Sequence, residues 1–149
     1  MRRILLFFTV IMLLGFGTSF ARQNSKPPTE PVPAPVPAEA IARVNPVKAT
    51  PEGLQQAKKL YGYHCSMCHG KDGDGKGDLA EQMKLNLHDW RDAGSISKMT
   101  DGELFYIITN GRGKMTGGEG DRTKEETRWQ LVNYVRAFGN KGVDATPAK

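Results

Sequence analysis

At 149 residues the chain has room for one ordinary domain and its appendages, so any function must come from a single small core. Its 38% hydrophobic and 25% charged residues suit a globular protein in water. A net charge of only +5, with no basic stripe and no known reading motif, excludes nucleic acid as a partner.

In chain order, Met1, Arg2 and Arg3 precede an apolar run from Ile4 to Phe16 and a small-x-small ending at Ser19, Phe20 and Ala21. This pattern predicts an export signal over residues 1–21, cut after Ala21, and hence a periplasmic destination. The run is shorter than a membrane-spanning helix requires, but an uncleaved segment would keep the chain tethered beside a membrane. Its removal takes two arginines and no acid, lowering the net charge to +3. Residues 22–50 carry Pro27, Pro28, Pro31, Pro33, Pro35, Pro37 and Pro46 among Ala, Val and Glu. Proline removes backbone donors and favours extended geometry, so this stretch is expected to be a disordered linker.

The foldable region is placed at 51–140, with a flexible tail over 141–149. Thr50 can cap a first helix that has Pro51 at its first position and Leu54, Ala57, Leu60 and Tyr61 as its apolar residues. A second helix is announced by Thr100 and Glu103 at capping-box spacing, with Leu104, Ile107 and Ile108 on one face and Gly111 as its stop. A third repeats the device at Thr123 and Glu126, followed by Trp129, Val132, Val135 and Phe138. No stretch reads as a strand. Between the first and second helices, residues 70–99 are rich in Gly, Asp and Lys, with Leu79, Met83, Leu85, Leu87, Trp90 and Ile96 as apolar anchors. An irregular segment of that length in a compact domain points to a wrapped ligand.

The two cysteines identify the ligand. Cys65, Cys68 and His69 form the run CSMCH, which puts both thiols on one side of a helical turn, each able to make a thioether to one haem vinyl group, with the adjacent imidazole reaching the iron. Three other uses of the pair compete with c-type haem. A disulfide would close a ring too short to constrain the unfolded chain. A thioredoxin-like pair needs a strand-helix-strand setting that is not predicted. Structural zinc wants four ligands, and only His64 and His88 could complete the pair. The run Asp72 to Asp78 has some of the spacing of a calcium loop, but Lys76 sits at a ligand position and Met83 where the closing Glu belongs.

The segment AKKLYGYHCSMCHGKDGDG, from Ala57 to Gly75, resembles the haem-binding segment of class I, bacterial-type monohaem cytochromes c, including the tyrosine four residues before the first cysteine. LFYIITNGRGKM, from Leu104 to Met115, and the terminal WQLVNYVRAF resemble that family's second and last helices. The resemblance implies an all-α cytochrome c fold: three or more short helices around one covalently bound haem c, the first and last crossing near Tyr134 and Trp129. It also implies that Tyr61 and Leu79 line the haem pocket.

His69 supplies one axial ligand, and the occupant of the opposite face decides the function. Met115, in a Gly-rich loop between the second and third helices, stands where the family places its distal methionine. The family commonly has Pro directly after it, and Thr116 stands here. Met83, Met99 and His88 are the alternatives, with gap-filling or surface roles as their plainer reading. A His/Met pair suits single-electron transfer between redox protein partners, with no catalysis by the chain itself. An open or labile sixth position would instead make it a peroxidase-like enzyme or a gas sensor.

Overall fold

A computed structural model describes residues 33–140, all of which lie in one unit beginning at Val32. The expected signal segment, the first part of the linker and the tail from 141 fall outside the described residues. Helix α1 spans Ala38–Ile41, α2 Pro51–His64, α3 Ser66–His69, α4 Asp78–Gln82, α5 Ala93–Ile96, α6 Asp101–Asn110, α7 Glu119–Arg122 and α8 Glu125–Gly139. The domain is therefore mainly helical, as expected.

Helix α2 starts where the sequence places it. Thr50 is extended, its Oγ1 accepts the Gly53 amide at 3.1 Å, and Pro51 follows where a missing N–H costs nothing. Helix α2 packs against α8 more extensively than any other pair of elements. Ala57 and Tyr61 meet Leu131 and Tyr134 in one cluster. Gly53 permits the close approach: a Cβ there would stand 2.4 Å from the Gln130 side chain.

Helix α6 is capped by Thr100, whose Oγ1 accepts the Glu103 amide at 3.1 Å, and it ends at Gly111 with φ 79°. It lies against a second side of α8, where Leu104, Phe105, Trp129 and Val132 form a separate cluster. The Phe105 and Trp129 rings stack at 4.0 Å. Trp129 therefore faces α6, while Tyr134 alone of the two expected aromatics stands in the α2–α8 cluster.

Three expectations are corrected. Thr123 does not cap α8: its hydroxyl donates to the Glu119 carbonyl at 2.9 Å, closing the α7 turn, and α8 begins after Lys124 with no side-chain cap. A strand pair exists: β1 (Gly111–Arg112) and β2 (Met115–Thr116) are antiparallel, with Gly111 opposite Thr116 and Arg112 opposite Met115. Two residues per strand leave no alternation to read, and the turn signal is only Gly113 at φ 59°. Finally, the second half of the expected linker is ordered. Helix α1 packs on α6 with Ala40 buried, and a Cβ on Gly102 would stand 2.0 Å from the Ala40 carbonyl oxygen. Proline removes donors but leaves acceptors, and helix side chains take them. Thr100 donates to the Ile41 carbonyl at 2.7 Å, Asn133 to Val47 at 3.0 Å and Gln130 to Lys48 at 3.1 Å.

Candidate haem-attachment site

Cys65 sits at the junction where α2 gives way to α3. The amides of Cys68 and His69 donate back to the Cys65 carbonyl at 3.1 and 2.9 Å, so both thiols and the imidazole lie within one helical turn. Both cysteines are free and half-buried. Burial, reinforced by the nearby Glu119 carboxylate and by Cys68, pushes the Cys65 thiol up to about 12. Redox-active cysteines are shifted the other way, which disfavours the dithiol reading. Burial lowers His69 to about 4, so the imidazole is neutral at physiological pH. Its Nδ1 is buried without a hydrogen-bond partner, and its ring stacks on Trp90 at 4.2 Å and 21°.

The Gly-rich segment after the motif folds back over it. Gly75 donates to the His69 carbonyl at 2.9 Å and Gly77 to the Cys68 carbonyl at 3.1 Å. These bonds satisfy acceptors that the end of a short helix leaves open. The fit is tight, since a Cβ on Gly77 would come within 2.2 Å of the Met67 carbonyl oxygen. Asp74, one of the acids that suggested calcium, accepts the Lys76 amide at 3.0 Å and shapes the turn. Among the described residues, no three His, Cys, Asp or Glu side chains converge where a metal ion could be held. The two unpaired thiols and the neutral imidazole, its Nδ1 buried without a hydrogen-bond partner, fit a haem.

Tyr61 lies inside the α2–α8 cluster, its ring 5.3 Å from Tyr134 and 5.2 Å from Phe138. Its hydroxyl donates to the Gly70 carbonyl at 2.6 Å, so the tyrosine supports the residue directly after His69. Leu79 is half-buried on α4, and Met115 is half-buried on β2. Of the other methionines and histidines considered, Met99 packs on the Trp129 cluster, whereas Met83 and His88 are exposed. Sequence reasoning missed two contacts of the motif. Trp90 gave no sign of stacking on His69 across the irregular segment. His64, considered in the sequence as a zinc ligand, meets the buried Glu119 with Nδ1 to Oε1 at 2.8 Å.

A helical domain in which two free cysteines and a half-buried, neutral histidine share one turn defines a c-type cytochrome, and such proteins hold haem c covalently. Residues 52–135, more than half of the chain, match the family described as cytochrome c oxidase, cbb3-type, subunit III, and the chain belongs to that family of monohaem cytochrome c domains. A quinohemoprotein alcohol dehydrogenase, ADH IIB of Pseudomonas putida, is 52% identical over 40 residues, which are 27% of this chain and 6% of that protein. The chain thus spans a small fraction of that relative's length. The solved structure of the KustC0563 c-type cytochrome is 33% identical, covering 55% of this chain and 95% of that one, with a TM-score of 0.48.

Proposed function

We propose that this domain carries single electrons on one haem c, attached through Cys65 and Cys68 and held between His69 and Met115, either as a periplasmic carrier or as the haem subunit of an oxidoreductase. The carrying observation is the neutral, half-buried His69, whose buried Nδ1 has no protein hydrogen-bond partner, within one turn of two free thiols. A bound haem supplies a one-electron couple. The chain contributes the conditions for that couple to turn over with little rearrangement. Trp90 fixes one face of the imidazole, and Tyr61 fixes the backbone behind it. The Gly70–Gly77 segment holds the carbonyls of the attachment turn, while the β1–β2 ladder restrains the backbone of Met115. Leu79 is assigned to the pocket wall.

Met115 and His69 would hold the iron, and a thioether ligand of this kind would favour the reduced state and raise the potential, which suits a carrier. The donor and acceptor are other redox proteins. The dehydrogenase relative supports a place in a dehydrogenase-linked chain. No helix among the described residues is long and apolar enough to cross a membrane.

Met115→Ala tests the axial assignment. The ferric protein should lose its far-red sulfur-to-iron absorption while the haem stays covalently attached, and His69→Ala should impair maturation altogether. Persistence of the far-red band in Met115→Ala refutes the assignment. Rapid, full binding of carbon monoxide to the unmutated ferrous protein at neutral pH would favour the enzyme or sensor reading.

A further inference from the structure

Glu119 is a buried carboxylate that electron transfer by itself does not require. Its side chain is 10% exposed, one oxygen lies 2.8 Å from His64 Nδ1, and the other is buried without a partner. The two side chains share a single hydrogen bond, whose donor is set by the imidazole tautomer. Burying an unsatisfied carboxylate oxygen is costly, and a neutral residue would fill the position at lower cost if packing were its only role.

The position of the pair explains what that cost supports. His64 immediately precedes Cys65, and Glu119 lies close enough to Cys65 to raise its thiol pKa. Three residues separate Glu119 from Met115: Thr116, Gly117 and Gly118, the last at φ 127°. On its N-terminal side Met115 is restrained by the ladder to β1. On its C-terminal side, Glu119 is the first side chain anchored to the attachment segment. Its backbone is fixed as well, because Arg128 Nη1 donates to the carbonyls of Glu119, Gly120 and Thr123 at 3.3, 3.1 and 2.6 Å. Arg122 adds a longer contact to the same carboxylate oxygen at 3.4 Å.

We infer that the His64–Glu119 bond is a latch joining the Met115 hairpin to the haem-attachment turn, and that it sets how readily the methionine sulfur leaves the iron. This rests on Met115 being the sixth ligand. Both residues are positioning residues: neither touches the iron, and each acts by limiting the travel of the loop that carries Met115. The latch supplies restraint at a loop that lacks the family's proline.

The test uses full-length ferric holoprotein and the rate at which exogenous imidazole binds the haem, which is limited by departure of the methionine. His64→Ala removes a side chain that is 31% exposed and leaves the helix backbone intact. It should raise the rate about tenfold, the equivalent of one hydrogen bond to a charged group. Glu119→Ala, which also loses the Arg122 contact, should raise it at least as much, and the double variant no further than Glu119→Ala, because the His64–Glu119 bond is lost in all three. His64→Asn keeps an N–H donor and should recover part of the restraint. Unchanged rates in both single variants, with the far-red band intact in the parent, overturn the latch alone. Effects that multiply in the double variant also overturn it. A far-red band that survives Met115→Ala overturns the ligand assignment, and the latch with it.

Discussion

Tyr61→Phe removes one oxygen atom and nothing else. The ring would keep its neighbours Tyr134 at 5.3 Å, Phe138 at 5.2 Å and Trp90 at 6.4 Å, so aromatic packing is nearly constant across the substitution. What disappears is the 2.6 Å hydrogen bond to the Gly70 carbonyl, which would keep only a long contact from the Gly73 amide at 3.3 Å. A buried acceptor losing its better donor costs about 1–2 kcal/mol. In a domain of about a hundred residues that is a drop in melting temperature of roughly 5–10 °C. Guanidinium and thermal unfolding of the ferric holoprotein, followed by tryptophan fluorescence, should show a lower midpoint with an unchanged denaturant slope. The pH dependence has a definite sign. Burial raises the folded-state pKa of Tyr61 above the 10.0 of a free tyrosine, so its contribution is fully present below about pH 10 and is lost as the pH climbs towards the folded-state value. The gap between the two proteins should therefore be constant through neutral pH and narrow only in strong alkali. A variant that melts within a degree of the parent would refute the hydroxyl as a support for the attachment turn.

Arg136 donates through Nε to Asp101 at 2.9 Å, through Nη1 to the Ile96 carbonyl at 2.6 Å and through Nη2 to the Met99 carbonyl. Arg136→Met should cost about 2–4 kcal/mol in equilibrium unfolding, and Arg136→Lys should recover little, since an ammonium cannot span three acceptors. Gly62→Ala, on the exposed face of α2 with open space around it, should stabilise by about 0.5–1 kcal/mol. Gly77→Ala, pressed on the Met67 carbonyl, should do the reverse and reduce the yield of haem-attached protein. Gly102→Ala should push α1 off α6, which limited proteolysis would register as new cleavage within residues 33–50.

What could be read from the sequence is what depends on near neighbours. The caps at Thr50 and Thr100 operate over three residues, and both make the predicted bond. The CSMCH turn is equally local, since its thiols and imidazole are gathered by one turn of backbone bonds. Thr123 carried the same local signal and failed, because the preceding turn takes its hydroxyl first. Over residues 33–50 the linker reading failed for a different reason. Proline content describes what a segment's own backbone can donate, and is silent on Asn133, Gln130 and Thr100, which arrive from distant helices to occupy its carbonyls. The His69–Trp90 stack and the His64–Glu119 bond span long stretches of chain without periodicity, so no sequence pattern announces them.

On the proposed ligation the loop carrying Met115 needs restraint, and with Thr116 after it that restraint comes from something other than a proline ring. A proline restrains a loop by fixing one torsion in one residue. Here the restraint is distributed. Thr116 suits a strand and sits in a ladder opposite Gly111, and the two glycines beside the hairpin let backbone meet backbone. A Cβ on Gly111 would stand 2.3 Å from the Met115 carbonyl oxygen, and one on Gly117 would stand 2.3 Å from the Asn110 carbonyl. Close backbone packing of that kind resists displacement of the whole hairpin, whereas a proline resists only local rotation. Past the ladder, the Gly118 amide donates to the Thr109 carbonyl at 3.3 Å, and the Gly117–Gly118 connection leads to α7. That connection ends at Glu119, the residue bonded to the helix turn before Cys65, so the loop is closed at both ends by contacts that the missing ring would not have supplied.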